Sequence, residues 1–216
     1  MYKRLLLLII LVFLFIVYDC AKPTSPMLRE VQWNKICARR YQAEMLELEN
    51  SPAPEDEEYE VYVAVLEAEF LTSSIERIVI QNGIVEDGSE RLLESMIHVA
   101  GDLTVTEDLL DDFRIKNQGT YHFEDRFELN IPVVLIDREE ICQILQGVNW
   151  NNFRGRYPHS GGLKEFSRVA FNVGKTQALV YVGNTSDSLI GIGQFFLLGK
   201  DGEKWTVLGQ HTTWVS

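Results

Sequence analysis

The segment His159-Ser160-Gly161-Gly162 places an imidazole, a hydroxyl and a flexible glycine turn side by side. A base, a nucleophile and backbone N–H donors are the parts that acyl transfer needs. The spacing argues against that use. Adjacent His and Ser side chains in an extended loop point apart, and the chain contains no G-x-S-x-G sequence to set a serine on a strand-to-helix elbow. A turn joining a short aromatic helix at Trp150 to Tyr157 with the next strand accounts for the same residues. A second polar set, Arg168, Asn172, Gln177 and Tyr181, falls on two consecutive strand-like stretches. Converging on one sheet surface, these side chains would bind an anion or a peptide. With His159 and Ser160 they form the candidate ligand or partner site. Arg168 has an alternative, a structural ion pair with one of the chain's many carboxylates.

The remaining chemistry is thin. His98, His122 and His211 have no second histidine at helical or strand spacing, so nothing in the pattern points to a metal site. Gly193 to Lys200 imitates a phosphate-binding loop, but five residues separate Gly193 from Gly199 where four are required, and Asp201 stands where a magnesium-binding hydroxyl belongs. Gly191-Ile192-Gly193 lacks the third glycine and following helix of a dinucleotide fingerprint. No catalytic residue, cofactor or metal is assigned from the sequence.

The elements that must position these residues change in kind along the chain. From Leu28 to Asn50, Trp33, Ile36, Cys37, Tyr41, Met45 and Leu48 recur at steps of three and four, which predicts an amphipathic helix. Tyr59 to Phe70 suits a strand by the alternation of Tyr59, Val61, Val63 and Val65 or a helix by Tyr59, Tyr62, Val63, Leu66 and Phe70; Pro54 and the acidic run Glu55 to Glu58 favour the helix, the carboxylates reading as a solvated first turn rather than a cation-binding patch. Ile75 to Ile80 predicts a strand ended by Asn82-Gly83. A weak helix is expected at Glu86 to Ala100 and a better one at Thr104 to Gln118. Asn130 to Ile136 reads as a strand, with Pro132 near its start marking an edge or an early bulge, followed by a short helix capped by Asp137. Four strand-length runs then follow: Glu165 to Asn172, Lys175 to Asn184, Ile192 to Gly199 and Lys204 to Val215. Short turns between them, including Asp201-Gly202, predict an antiparallel meander. The fold expectation is α+β, with N-terminal helices packed on a C-terminal antiparallel β-meander of about four strands, the second of them covered by helices on one side.

The N-terminus places the domain. Leu5 to Val17 is an unbroken apolar run behind Lys3 and Arg4, the n-region and h-region of an export signal. As a helix the run covers roughly 20 Å, short of the ~30 Å hydrocarbon core. Residues 1–20 are therefore read as a signal peptide or membrane anchor, residues 21–27 with Pro23 and Pro26 as a tether, and residues 28–216 as a single α+β domain. Cys20, three residues past the run, resembles the lipidated cysteine of bacterial lipoproteins, although Asp19 stands where that pattern takes a small residue. Lipidation at Cys20, an uncleaved anchor and free secretion all export the domain. Cys37 and Cys142 remain for one disulfide or for two buried thiols.

Phe166-Ser167-Arg168-Val169-Ala170-Phe171-Asn172, Gln177-Ala178-Leu179-Val180-Tyr181-Val182-Gly183, Trp205-x-Val207 and Trp214-Val215-Ser216 together resemble an uncharacterised family of bacterial envelope proteins. That resemblance implies the meander and the exported setting and carries no activity.

Charge narrows the partners. With 32 Asp and Glu against 20 Lys and Arg, the formal charge is −12, which argues against a protein built to grip nucleic acid. The membrane, reached through the N-terminal segment, and an unidentified protein or small molecule are the expected partners. The expected function is a binding or interaction domain in the cell envelope. The alternative is a small hydrolase or isomerase with a pocket between helices and sheet, using His159 or carboxylates that the sequence does not single out.

Overall fold

The computed structural model describes residues 51–83, 105–146 and 149–216. The apolar N-terminal run, Cys20, the tether, the helices expected at Leu28 to Asn50 and Glu86 to Ala100, Cys37 and His98 lie outside the described residues. Among the described residues no helix is long and apolar enough to cross a membrane.

Helix α1 (Asp56–Val65) buries Glu58, Val61, Tyr62 and Val65, the steps of three and four that define one helical face. A π-helical turn, Leu66–Phe70, continues it. Strand β1 (Ile78–Gln81) follows, then α2 (Glu107–Lys116), β2 (Val133–Ile136), α3 (Arg138–Ile144) and α4 (Trp150–Arg156). Asp137 caps α3 by accepting from Glu140 N–H at 2.7 Å, as expected from its position. Strands β3 (Leu163–Phe166), β4 (Ala170–Phe171), β5 (Gln177–Asp187), β6 (Ile190–Asp201) and β7 (Lys204–Val215) complete the chain.

The fold is mixed α+β, and its sheet is larger than the expected meander. Seven strands form one sheet in the order β2-β1-β3-β5-β6-β7, with β4 also paired to β5. Strand β1 runs parallel to both β2 and β3, whereas β3, β5, β6 and β7 are antiparallel neighbours. The four-strand expectation missed that β1 and β2 join the same sheet. Parallel neighbours need long crossovers, so their pairing is invisible to a reading of adjacent segments. Pro132 does precede an edge strand, β2.

Both faces of β5 are covered, not one. Val180 and Val182 pack with Phe196, Leu198 and α1, while Leu179 and Tyr181 pack with Phe195, Leu197 and the apolar side of α2. Helices α3 and α4 pack on the face of α2, over Val79 and Leu163. Asp108 and Asp112, one turn apart on α2, accept the N–H groups of Val173 and Phe171, each at 2.8 Å.

Gly193 explains the aromatic end of the chain. A Cβ there would stand 2.1 Å from Trp214 Nε1 and 2.4 Å from the Tyr181 hydroxyl, because the Trp214 indole lies across the strand and donates to Tyr181 Oη at 2.7 Å. Gly193→Ala is expected to displace Trp214, break that hydrogen bond and cost about 1–3 kcal/mol, read by denaturant unfolding followed through tryptophan fluorescence.

Candidate functional site

The residues expected to form a polar site are separated by the fold. Arg168 lies not on a strand but in the break between β3 and β4, residues 167–169, where the chain leaves the β5 ladder and returns. Its guanidinium turns into the α1 face and donates to Glu58, from Nε at 2.9 Å and from Nη2. Tyr181 points to the opposite face of the sheet. Asn172 closes the β4–β5 turn, its Oδ1 accepting from Thr176 N at 2.8 Å and Gln177 N at 3.0 Å. His159 is exposed at a left-handed φ of 57°, while Ser160 is buried, so the two side chains diverge. The convergent surface and the His–Ser pair therefore do not assemble.

What Arg168 builds instead is a buried polar node that satisfies the strand break. Every backbone polar group across it has a partner, as burial demands. Tyr121 donates to Phe166 O, Ser167 N donates to Tyr181 O, and Ser167 Oγ accepts Tyr181 N at 2.9 Å in place of a ladder carbonyl. Tyr62 donates to Ser167 O at 3.0 Å. Asn117 accepts Arg168 N at 2.8 Å and donates to Arg168 O at 3.2 Å. Glu58 Oε2 accepts Val169 N at 3.0 Å, and Lys116 donates to Val169 O at 3.1 Å. Burial pushes the Tyr62 phenol well above its usual pKa, and the adjacent Glu58 carboxylate adds to that rise. Burial opposes the Arg168 charge, but the hydrogen bonds and charge of Glu58 hold its pKa above the ordinary value. The Glu55 to Glu58 run is thus not a uniformly solvated turn. Glu58 is 0% exposed, and Glu57 binds Lys200 at 2.5 Å and Lys175 at 2.9 Å.

On the other side of α1 is a cavity of about 700 Å³, bounded by α1, residues 125–128 and the start of β7. Its floor is apolar, made by Tyr59, Val63, Ala64, Phe127 and Trp205. The rings of Tyr59 and Phe127 meet edge to face at 5.0 Å. Exposed carboxylates of Asp56, Glu60, Glu67, Asp125, Glu128 and Glu203 stand around it, with Arg126 and Lys204 as the cations. Arg126 is already engaged: it contacts Asp56 at 2.5 Å and Glu124 at 3.1 Å and lies 4.4 Å above the Tyr59 ring. Burial raises the Tyr59 phenol pKa, against the lowering pull of Arg126. An apolar floor ringed by carboxylates can hold a molecule with an apolar body and polar or charged ends.

A third feature was unmarked in the sequence. Lys164 on β3 is 1% exposed, and its ammonium has no carboxylate partner among the described residues. It donates to Ser160 O at 3.4 Å and Asn184 Oδ1 at 3.5 Å, and it lies 5.2 Å from the Phe70 ring presented by the π-helical turn. Burial brings its pKa down to about 8. The loop before it is tight. Gly162 has φ 108°, and a Cβ there would meet Thr185 O at 2.6 Å.

Among the described residues no group of three or more His, Cys, Asp and Glu side chains could hold a metal ion. Cys142 on α3 is disulfide-bonded. No family model matches the chain, and no curated protein or solved structure does. The pocket residues were legible only as types. Tyr59 and Val63 show on a helix face, but their meeting with Phe127 and Trp205 joins three distant segments.

Proposed function

We propose that the chain is an exported, membrane-attached protein whose α+β part is a binding domain of the cell envelope, with its ligand site in the cavity beside α1. The observation that carries this reading is the cavity itself, an aromatic and aliphatic floor under a carboxylate rim at a volume of about 700 Å³. Sites for small molecules are mostly apolar clefts of roughly 300–1,000 Å³ with a few polar groups to fix orientation. The export half of the reading is supported by the basic residues and apolar run of Lys3 to Val17. The disulfide at Cys142 suits an oxidising compartment, and the C-terminal pattern resembles envelope proteins.

Native mass spectrometry of the chain, extracted from its own membranes in detergent, tests both halves. The expected spectrum shows a membrane-derived protein, either starting at Met1 or carrying diacylglycerol on Cys20, with a small molecule retained. Ala64→Trp, which fills the floor of the cavity, is expected to lose that molecule while keeping the protein's melting profile. Recovery of the protein only from the cytoplasm would overturn the export reading. Recovery without any retained molecule, or with one that Ala64→Trp leaves in place, would overturn the assignment of the cavity.

A further inference from the structure

The charge around the cavity defines the class of ligand. We infer that the cavity selects a small organic cation, an ammonium or guanidinium group on an apolar stem; this rests on the binding reading above. Glu60, Glu67, Asp125, Glu128 and Glu203 line the cavity and form no ion pair among the described residues. Of the two cations, Arg126 is held by Asp56 and Glu124, which leaves Lys204 alone against five carboxylates. An anionic ligand would enter against that field, whereas a cation is drawn along it. The aromatic floor adds a second preference of the same sign, because ring faces attract cations. The protein already uses these rings in that way: the Arg126 guanidinium sits 4.4 Å from the Tyr59 ring and the Lys200 ammonium 5.1 Å from Trp205.

A bare metal ion fits less well. The carboxylates are spread around a wide opening, and no group of three among the described residues is placed to coordinate one. The apolar floor of Val63, Ala64 and Phe127 offers such an ion nothing, but it fits the methylene or ring portion of an organic cation.

The test uses two probes with the same phenethyl stem and opposite charge, phenethylammonium and 3-phenylpropionate, titrated calorimetrically into the detergent-solubilised full chain at low salt. Saturable binding of phenethylammonium is expected, with no saturation by 3-phenylpropionate over the same range. The Glu60→Gln and Glu128→Gln double variant is expected to bind the cation at least ~10-fold more weakly, and raising the salt is expected to weaken the parent in the same direction. Both positions are exposed, so the variant keeps its fold. Equal binding of the two probes, binding of the cation indifferent to the two substitutions, or no binding of the cation would overturn the inference. If the cation fails while a molecule sensitive to Ala64→Trp is retained from the native membrane, the charge preference is wrong and the binding site stands; if both fail, the binding reading falls with it.

Discussion

Glu58→Gln is expected to destabilise the fold by about 3–5 kcal/mol, the loss seen when one partner is removed from a buried, hydrogen-bonded ion pair. The carboxylate of Glu58 accepts from Arg168 Nε, Arg168 Nη2 and Val169 N, and from Glu55 N at 3.1 Å at the start of α1. An amide in the same place keeps one acceptor oxygen and turns an NH₂ group toward a guanidinium that needs acceptors. Arg168 is then left charged and buried, since a guanidinium does not lose its proton in proteins. The same side chain closes the first turn of α1 and holds the β3–β4 break, so the loss reaches both layers. Urea unfolding at neutral pH measures it. Glu58→Leu combined with Arg168→Met removes the stranded charge and is expected to recover most of the loss. It should still fall short of the parent by about 1–3 kcal/mol, because Val169 N–H would be buried without an acceptor. A double variant no better than Glu58→Leu alone would show that the two side chains do not act as a pair.

Lys164→Met is expected to do the opposite and stabilise the protein at neutral pH by about 1–3 kcal/mol. The Lys164 ammonium is buried with two long contacts to oxygen and no carboxylate partner, which costs more than a methionine of similar length. The pH dependence follows from the direction of the shift. Burial lowers the folded pKa to about 8, below the ~10.4 of an unfolded lysine. Below pH 8 both states hold the proton and the folded chain bears the whole penalty. Between about 8 and 10.4 the folded chain has released the proton while the unfolded chain retains it, so stability rises with pH by as much as about 3 kcal/mol. The variant is expected to lack that rise. Urea unfolding of both proteins at pH 7 and pH 9.5 reads the difference, which cancels the titration of other groups. A gap between parent and variant that stays constant with pH would show that Lys164 does not lose its proton in the folded state.

Much of the element order was legible because it rests on local rules. The helix from Asp56, the cap at Asp137, the edge strand after Pro132 and the Asp201-Gly202 hairpin each follow from a few neighbouring residues. The same rules failed at residues 167–169. Reading Glu165 to Asn172 as a continuous strand put Arg168 on a sheet face, whereas the chain leaves the ladder there and side chains from α1 and α2 replace its hydrogen bonds. The break is held from outside that stretch, by Glu58 and Asn117, 111 and 51 residues from the positions they satisfy. The Ser167 side chain could have hinted at it, since a serine inside a strand can stand in for a carbonyl. Lys164 gave no signal either. A lysine among apolar residues reads as solvent-facing until both faces of its strand are known to be covered.

The sequence by itself determined the acidic charge, the apolar run behind Lys3 and Arg4 and the placing of helices before a run of strands, because composition and hydrophobic period act over a few residues at a time. Tertiary structure alone decided that β1 and β2 extend the sheet, that Arg168 is spent on Glu58, that Lys164 is buried, and that Tyr59, Phe127 and Trp205 share one floor under a carboxylate rim. Each of those depends on contacts between segments far apart in the chain, whose pairing is set by the burial of both faces of one sheet rather than by any local pattern.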